Sequence, residues 1–247
     1  MSALRSSHDR LSGIVAGLDS EALRSQSYDT EWSIADVLSH LGSGAEIHML
    51  TINAGVAGSN PPAREEFQKI WDTWNAKTPD AQAADSVSAN EALVSRIESL
   101  SPAERESFSV TMFGRPMDLA GVLGMRLGEH AIHTWDVAVA LDPAARIAPD
   151  AVALLIDTLA PMSGYFGKKA EEPAVVAVTT TGPERAFTLN TGGVTVAPGE
   201  AEDGATASLE APAEVFLRLL TGRVDDPSEV TASGVTVPQL KAVFPGY

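Results

Sequence analysis

The 247-residue sequence predicts an α+β protein, built as a helical bundle followed by a small mixed domain. Three observations lead there. Through the first two-thirds of the chain, apolar residues recur three and four positions apart, the period of a helix that buries one face. From about Lys169 the texture changes to short runs rich in Val and Thr, cut by Gly-Pro, Gly-Gly and Pro-Gly pairs, as in strands joined by turns. Between the two lies "GKKAEEP", charged and closed by a proline, which reads as a linker. The expected domains are therefore residues 1–168 and 169–247.

The elements follow in order. Leu4, Leu11, Ile14, Val15 and Leu18 carry the first helix. The second opens at "WSIADVLSHL", where Ser33 is placed to cap it and Asp36 stands three residues on, a variant of the capping box. "PPAREEFQKIWDTWNAKT" begins with prolines, which a first helical turn tolerates, and spaces Phe67, Ile70, Trp71 and Trp74 along one face. "SANEALVSRIESLS" repeats the pattern. The longest helical run covers residues 118 to 141 and stops before Asp142-Pro143; "APDAVALLIDTLAPM" makes a last bundle helix. In the second domain "AVVAVTTT", "RAFTLNT", "GVTVAP" and "ATASLEA" read as strands, and "PAEVFLRLLTG" and "VPQLKAVF" as helices. The acidic stretch "APGEAEDGA" reads as a solvated turn.

Composition narrows the function. Thirty-three acidic against seventeen basic residues give a net charge of −16, which repels nucleic acid phosphates and anionic lipid surfaces. With no cysteine, the chain has no disulfide, no thiolate metal ligand and no cysteine nucleophile of its own, so any sulfur chemistry requires an external thiol. No apolar run approaches a membrane span, and the N-terminus lacks the pattern of a signal peptide. A soluble cytoplasmic protein is expected.

The densest chemistry lies in "GEHAIHTWD", residues 128 to 136, which holds two of the five histidines. At about 100° per residue, Glu129 and His133 fall about 40° apart on one helical face, one turn from each other. His130 points about 100° away from Glu129, so a helix interface suits it better than a shared ligand set. The spacing is not the HExxH of metalloproteases. A third ligand has to come from another helix, and His40 of "SHL" sits beside an apolar stripe, with Gly42, Ser43 and Gly44 just beyond it. Two readings stand for it: a core histidine bonded to backbone, or an inward-facing ligand that completes a His/Glu/His set for a catalytic cation. Asp136 is placed either to orient an imidazole or to face solvent, and Arg126 either to bind an anion or to pair with an acid on its own helix. His48, about 80° round from His40, is a pocket-lining candidate. His8 is expected at the surface, and Trp32, Trp71, Trp74 and Trp135 in the core.

Three stretches, "WSIADVLSHL", "RLGEHAIHTWDVAVAL" and "ASLEAPAEVFLRLLTGR", resemble the mycothiol-dependent maleylpyruvate isomerase family, within the broader DinB-like bundle metalloenzymes. The resemblance implies a DinB-like four-helix bundle and a sterol-carrier-like C-terminal domain. It further implies a divalent metal, usually zinc, held by His40, Glu129 and His133. It makes Arg223 of "LLTGR" the match for a catalytic arginine of that family, and Val235 stands where many relatives carry an acidic residue. The implied activity is that of a metal-dependent enzyme using mycothiol as thiol cosubstrate, an isomerase or S-transferase acting on a small electrophile. A thiol-independent metalloenzyme using zinc-bound water or serving a specialised pathway is the alternative, and a lipid-binding module with a structural metal the third reading.

Overall fold

The computed structural model describes residues 1–162, 167–200, 204–224 and 226–246, and the chain forms two compact units, Met1–Ile147 and Ala148–Tyr247. In the first, α1 (Ser2–Val15), α3 (Ile34–Ala57), α5 (Pro79–Glu98) and α7 (Leu119–Leu141) form a four-helix bundle. Each of the four packs on two of the others: α1 on α5 and α7, and α3 on the same pair. The short α2 (Ser20–Leu23), α4 (Arg64–Asn75) and α6 (Pro102–Ser107) fill the connections.

The local signals act as read. Ser33 Oγ accepts from Asp36 N at 3.2 Å, and the Asp36 carboxylate accepts from Ser33 N at 2.9 Å, closing the capping box that starts α3. The apolar stripe of α3 then buries Ile34, Val37, Leu38 and Leu41 against Leu11 of α1, Ala83 of α5 and Val137 of α7. Helix α5 begins at Pro79, about two and a half turns ahead of "SANEALVSRIESLS", because Thr78 caps it and the alanine-rich "DAQAAD" carries helix without a strong stripe. A hairpin of β1 (Val110–Met112) and β2 (Arg115–Met117), turning at Phe113-Gly114, precedes α7; its three-residue strands are too short for alternation to reveal.

The second unit starts earlier than the linker at 167 to 173. Helix α8 (Pro149–Met162), expected in the bundle, packs on α9 (Ala213–Leu220) and on β5 (Thr195–Pro198). Periodicity marks a helix and the width of its apolar face, but not which core that face joins. The sheet runs β5-β4-β3-β6-β7, with β4 at Arg185–Asn190, β3 at Val175–Thr181, β6 at Ala207–Pro212 and β7 at Thr231–Ser233. Among the described residues only the β3–β6 pair is parallel. Val176 and Val178 of β3, Phe187 and Leu189 of β4 and Leu209 of β6 are buried, as are Val215, Phe216 and Leu219 of α9, and the Phe187 and Phe216 rings meet at 5.6 Å. Helix α10 (Val237–Val243) packs against α9. Residues 201–203 of the acidic turn lie outside the described residues. Among the described residues no helix is long and apolar enough to cross a membrane.

Small residues on α3 set how closely its neighbours approach. A Cβ on Gly42 would lie 2.2 Å from the ring of Trp74, itself 1% exposed on α4. Gly42→Ala is expected to lower stability by about 1–3 kcal/mol through overpacking. Gly13→Ala on α1 meets nothing within 4 Å and is expected to raise stability by up to about 1 kcal/mol through helix propensity. Urea denaturation of the two variants beside the wild type checks both signs.

Candidate metal centre

On α7 the polar residues Arg126, Glu129, His133 and Asp136 follow one another at spacings of three and four, so they line one helical face toward α3. His40 answers from α3, donating Nε2–H to Glu129 Oε2 at 3.1 Å. His133 Nε2 lies 3.8 Å from the same oxygen. One ligand atom from each of His40, Glu129 and His133 falls within 4.8 Å of the others. The residues named from the sequence are thus brought together.

Neighbouring groups orient this cluster. His133 donates Nδ1–H to Asp136 Oδ2 at 2.8 Å, and the Asp136 side chain is fully buried. That bond leaves the His133 Nε2 lone pair toward the cluster, the arrangement by which an outer carboxylate prepares an imidazole for a cation. Of the two readings of Asp136, the structure realises the orienting one. Trp32, expected in the core, is half-buried and packs instead on the site, with its ring 5.2 Å from that of His40 and 6.1 Å from that of His133. It stands just before the N-cap of α3, about two turns ahead of His40. The cluster is closed at the His133 end, 7% exposed by side chain, and open at His40 and Glu129, 33% and 40% exposed.

The electrostatics favour a carboxylate. Burial pushes the Glu129 carboxyl up, but the hydrogen bond from His40 and the charges of His133, His40 and Arg126 more than offset it, lowering the pKa to about 2. Two imidazoles and an ionised carboxylate suit a divalent cation and leave a coordination position open, so this donor set fits the implied metal.

The other histidines lie elsewhere. His130 is fully buried on the α1 side, its Nδ1 2.8 Å from Ser7 Oγ, and burial with the charge of Arg126 holds its pKa well down. His8, expected at the surface, is 3% exposed, because α1 is clamped against α5 and α7; its Nε2 lies 3.0 Å from Glu91. His48 donates Nδ1–H to Gly44 O at 2.8 Å, one turn along α3 from His40. Among the described residues Arg126 forms no ion pair with a carboxylate; Glu129, on its own helix, acts on it through its charge alone.

In the second unit Arg223 is 5% exposed and donates from Nη1 to Thr221 O at 2.8 Å, just after α9. Val235 lines a cavity of about 170 Å³ with Thr191, Thr206, Gln239 and Leu240.

A four-helix bundle that gathers two histidines and a glutamate from facing helices, followed by an α+β unit, defines a class of bundle proteins with a cation-ready pocket. More narrowly, residues 4–138 match the family model of the mycothiol maleylpyruvate isomerase N-terminal domain, and the chain belongs to that family. Among solved structures it is similar to a crystal structure of the mycothiol-dependent maleylpyruvate isomerase, at 18% identity and a TM-score of 0.70, covering 96% of this chain and 93% of that one. A histidine-to-alanine mutant of that isomerase gives a TM-score of 0.71 at the same identity and coverage. A search of curated proteins finds no match.

A carboxyl held at about 2 in the fold, against an ordinary 4.5, contributes stability that is present above 4.5 and lost as the pH falls through about 2. In metal-free protein, Glu129→Gln is therefore expected to be less stable than wild type at neutral pH, and the gap to close as the solution is acidified across that window. Urea melts at a series of pH values read this directly.

Proposed function

We propose that the protein is a metal-dependent enzyme that uses a low-molecular-weight thiol, mycothiol, to isomerise or substitute a small electrophile. The observation that carries this reading is the convergence of His40, Glu129 and His133, with ligand atoms within 4.8 Å and His133 oriented by Asp136. Membership of the mycothiol maleylpyruvate isomerase N-terminal family supports the thiol. With no cysteine in the chain, any sulfur chemistry has to use an external thiol. Zinc is the proposed metal, since three nitrogen and oxygen ligands with an open position are its usual catalytic set. A cytoplasmic setting, where thiols stay reduced, completes the proposal.

His40, Glu129 and His133 would hold the cation, which supplies, when bound, a positive charge that favours the thiolate form of a thiol. Asp136 keeps His133 in the ligating tautomer. Trp32 excludes water from one side of the two imidazoles. The exposed flank of His40 and Glu129 admits the reactants. Addition of a thiolate to a conjugated double bond, rotation and elimination give a cis–trans isomer; displacement at another electrophilic carbon transfers the thiol.

Protein purified without chelator or histidine tag is expected to carry about one divalent ion per chain by elemental analysis, and His40→Ala or His133→Ala to lose it. Added zinc should change the tryptophan fluorescence of chelated wild type and not that of Trp32→Phe. Mycothiol-dependent turnover that survives removal of the metal would sink the reading. For Arg223, Arg223→Ala is expected to lower turnover by about 100-fold or more with metal content and fold unchanged, measured by steady-state kinetics on the metal-loaded variant.

A further inference from the structure

The segment that carries Trp32, between α2 and α3, is a loop with its own internal order. Ile34 N donates to Ser25 O at 3.0 Å, and Ser27 donates to Trp32 O from N at 3.0 Å and from Oγ at 2.8 Å. Asp29 turns the chain between them: its Oδ1 accepts from Glu31 N at 3.0 Å and its carbonyl from Trp32 N at 3.2 Å. The loop thus folds on itself, and where Trp32 points follows from where the loop as a whole is fixed. Ser25, Gln26, Thr30 and Glu31 are exposed, and a polar loop with so little of its own buried opens readily unless another element ties it down.

Tyr28 ties it to α7. Its backbone N–H donates to Asp136 O at 3.3 Å, and its ring meets that of Trp135 at 4.9 Å. Trp135 is a firm support, 3% exposed and with its indole N–H committed to Ala145 O at 2.9 Å. Both contacts fall on residues that closely follow His133, and Asp136 is the one whose carboxylate accepts from His133 Nδ1. Four residues on from Tyr28, the Trp32 ring lies over the imidazoles of His133 and His40. The loop therefore grips His133 twice, through the backbone of Asp136 and across the ring face, where the cluster joins α7 to α3.

We propose that Tyr28 is a positioning residue for the metal centre: anchored on Trp135 and Asp136, it makes residues 25–34 a clasp that keeps Trp32 over the imidazoles of His40 and His133 and slows release of a bound cation. The anchoring belongs to the metal-free fold; its effect on release rests on the metal-binding part of the reading above.

Two measurements on the full-length protein test these separately. In chelator-treated protein, hydrogen exchange followed by NMR should be about tenfold or more faster at the Ser27, Trp32 and Ile34 amides of Tyr28→Ala, with α3 beyond Leu38 unchanged. Unchanged exchange in the loop, or equal acceleration along all of α3, overturns the clasp whatever the metal does. In zinc-loaded protein, transfer of zinc to an excess of chelating dye should be about tenfold or more faster in Tyr28→Ala and in Trp32→Ala, and at most about twofold faster again in the double variant, because both act along one path. Tyr28→Phe, which keeps a ring against Trp135, should restore most of the wild-type rate. A Tyr28→Ala rate equal to wild type, or an effect that persists in full on the Trp32→Ala background, overturns the positioning role. If Tyr28→Ala fails to fold, Asp29→Gly removes the carboxylate that shapes the same loop, and wild-type exchange and zinc release in that variant overturn the proposal. Wild type that binds no zinc overturns the metal reading and with it the role in release, while the exchange measurement still decides the anchor.

Discussion

The structure depends on how α3 and α7 bury polar groups against each other. Arg126, Glu129, His133 and Asp136 would each cost several kcal/mol in a dry bundle core if left alone. Two of them are answered across the seam, Glu129 by His40 and Arg126 by the carbonyl of Leu41 with Asn90 of α5, while Asp136 is answered within α7 by His133. The contact is therefore tight only in one register. Shifting α3 by a single residue would turn His40 away and bring Ser39 or Leu41, neither of them a partner for a buried carboxylate of this reach, toward Glu129.

That demand explains the composition of α3. Its first turns carry large apolar residues that fill the core with Leu11, Ala83 and Val137. Beyond His40 it turns to Gly42, Ser43, Gly44 and Ala45, which let the Trp74 ring and the Arg126 guanidinium approach the backbone. The helix trades apolar area for proximity at the point where polar groups need short contacts. Gly42 and Gly44 serve opposite faces, one admitting an aromatic ring and the other a cation.

The same arrangement is suited to chemistry. A site closed at His133 and Asp136 keeps its ligating geometry through packing, while one open at His40 and Glu129 exchanges reactants. Trp32 joins the two, shielding the imidazoles from one side without sealing the carboxylate. The second unit is organised separately, by an alternating sheet whose buried face is matched by the apolar face of α9, and α8 belongs to that core.

Read alone, the sequence determined what depends on local rules. The capping box at Ser33 and Asp36, the helical face shared by Glu129 and His133, and the Val- and Thr-rich strands follow from spacing and side-chain chemistry within a few residues. The family resemblance then pointed to His40, although the apolar surroundings of that histidine left a core role equally open. Tertiary structure decided the matters that depend on partners distant in the chain. It moved His8 inside by clamping α1 and gave α8 to the second core. It set Trp32 over the imidazoles, and left Arg126 facing Gly44 rather than an acid on its own helix. Periodicity states that a face is buried; only the packing of other elements against it states what it is buried with, because burial is indifferent to the partner while hydrogen bonds and charges are not.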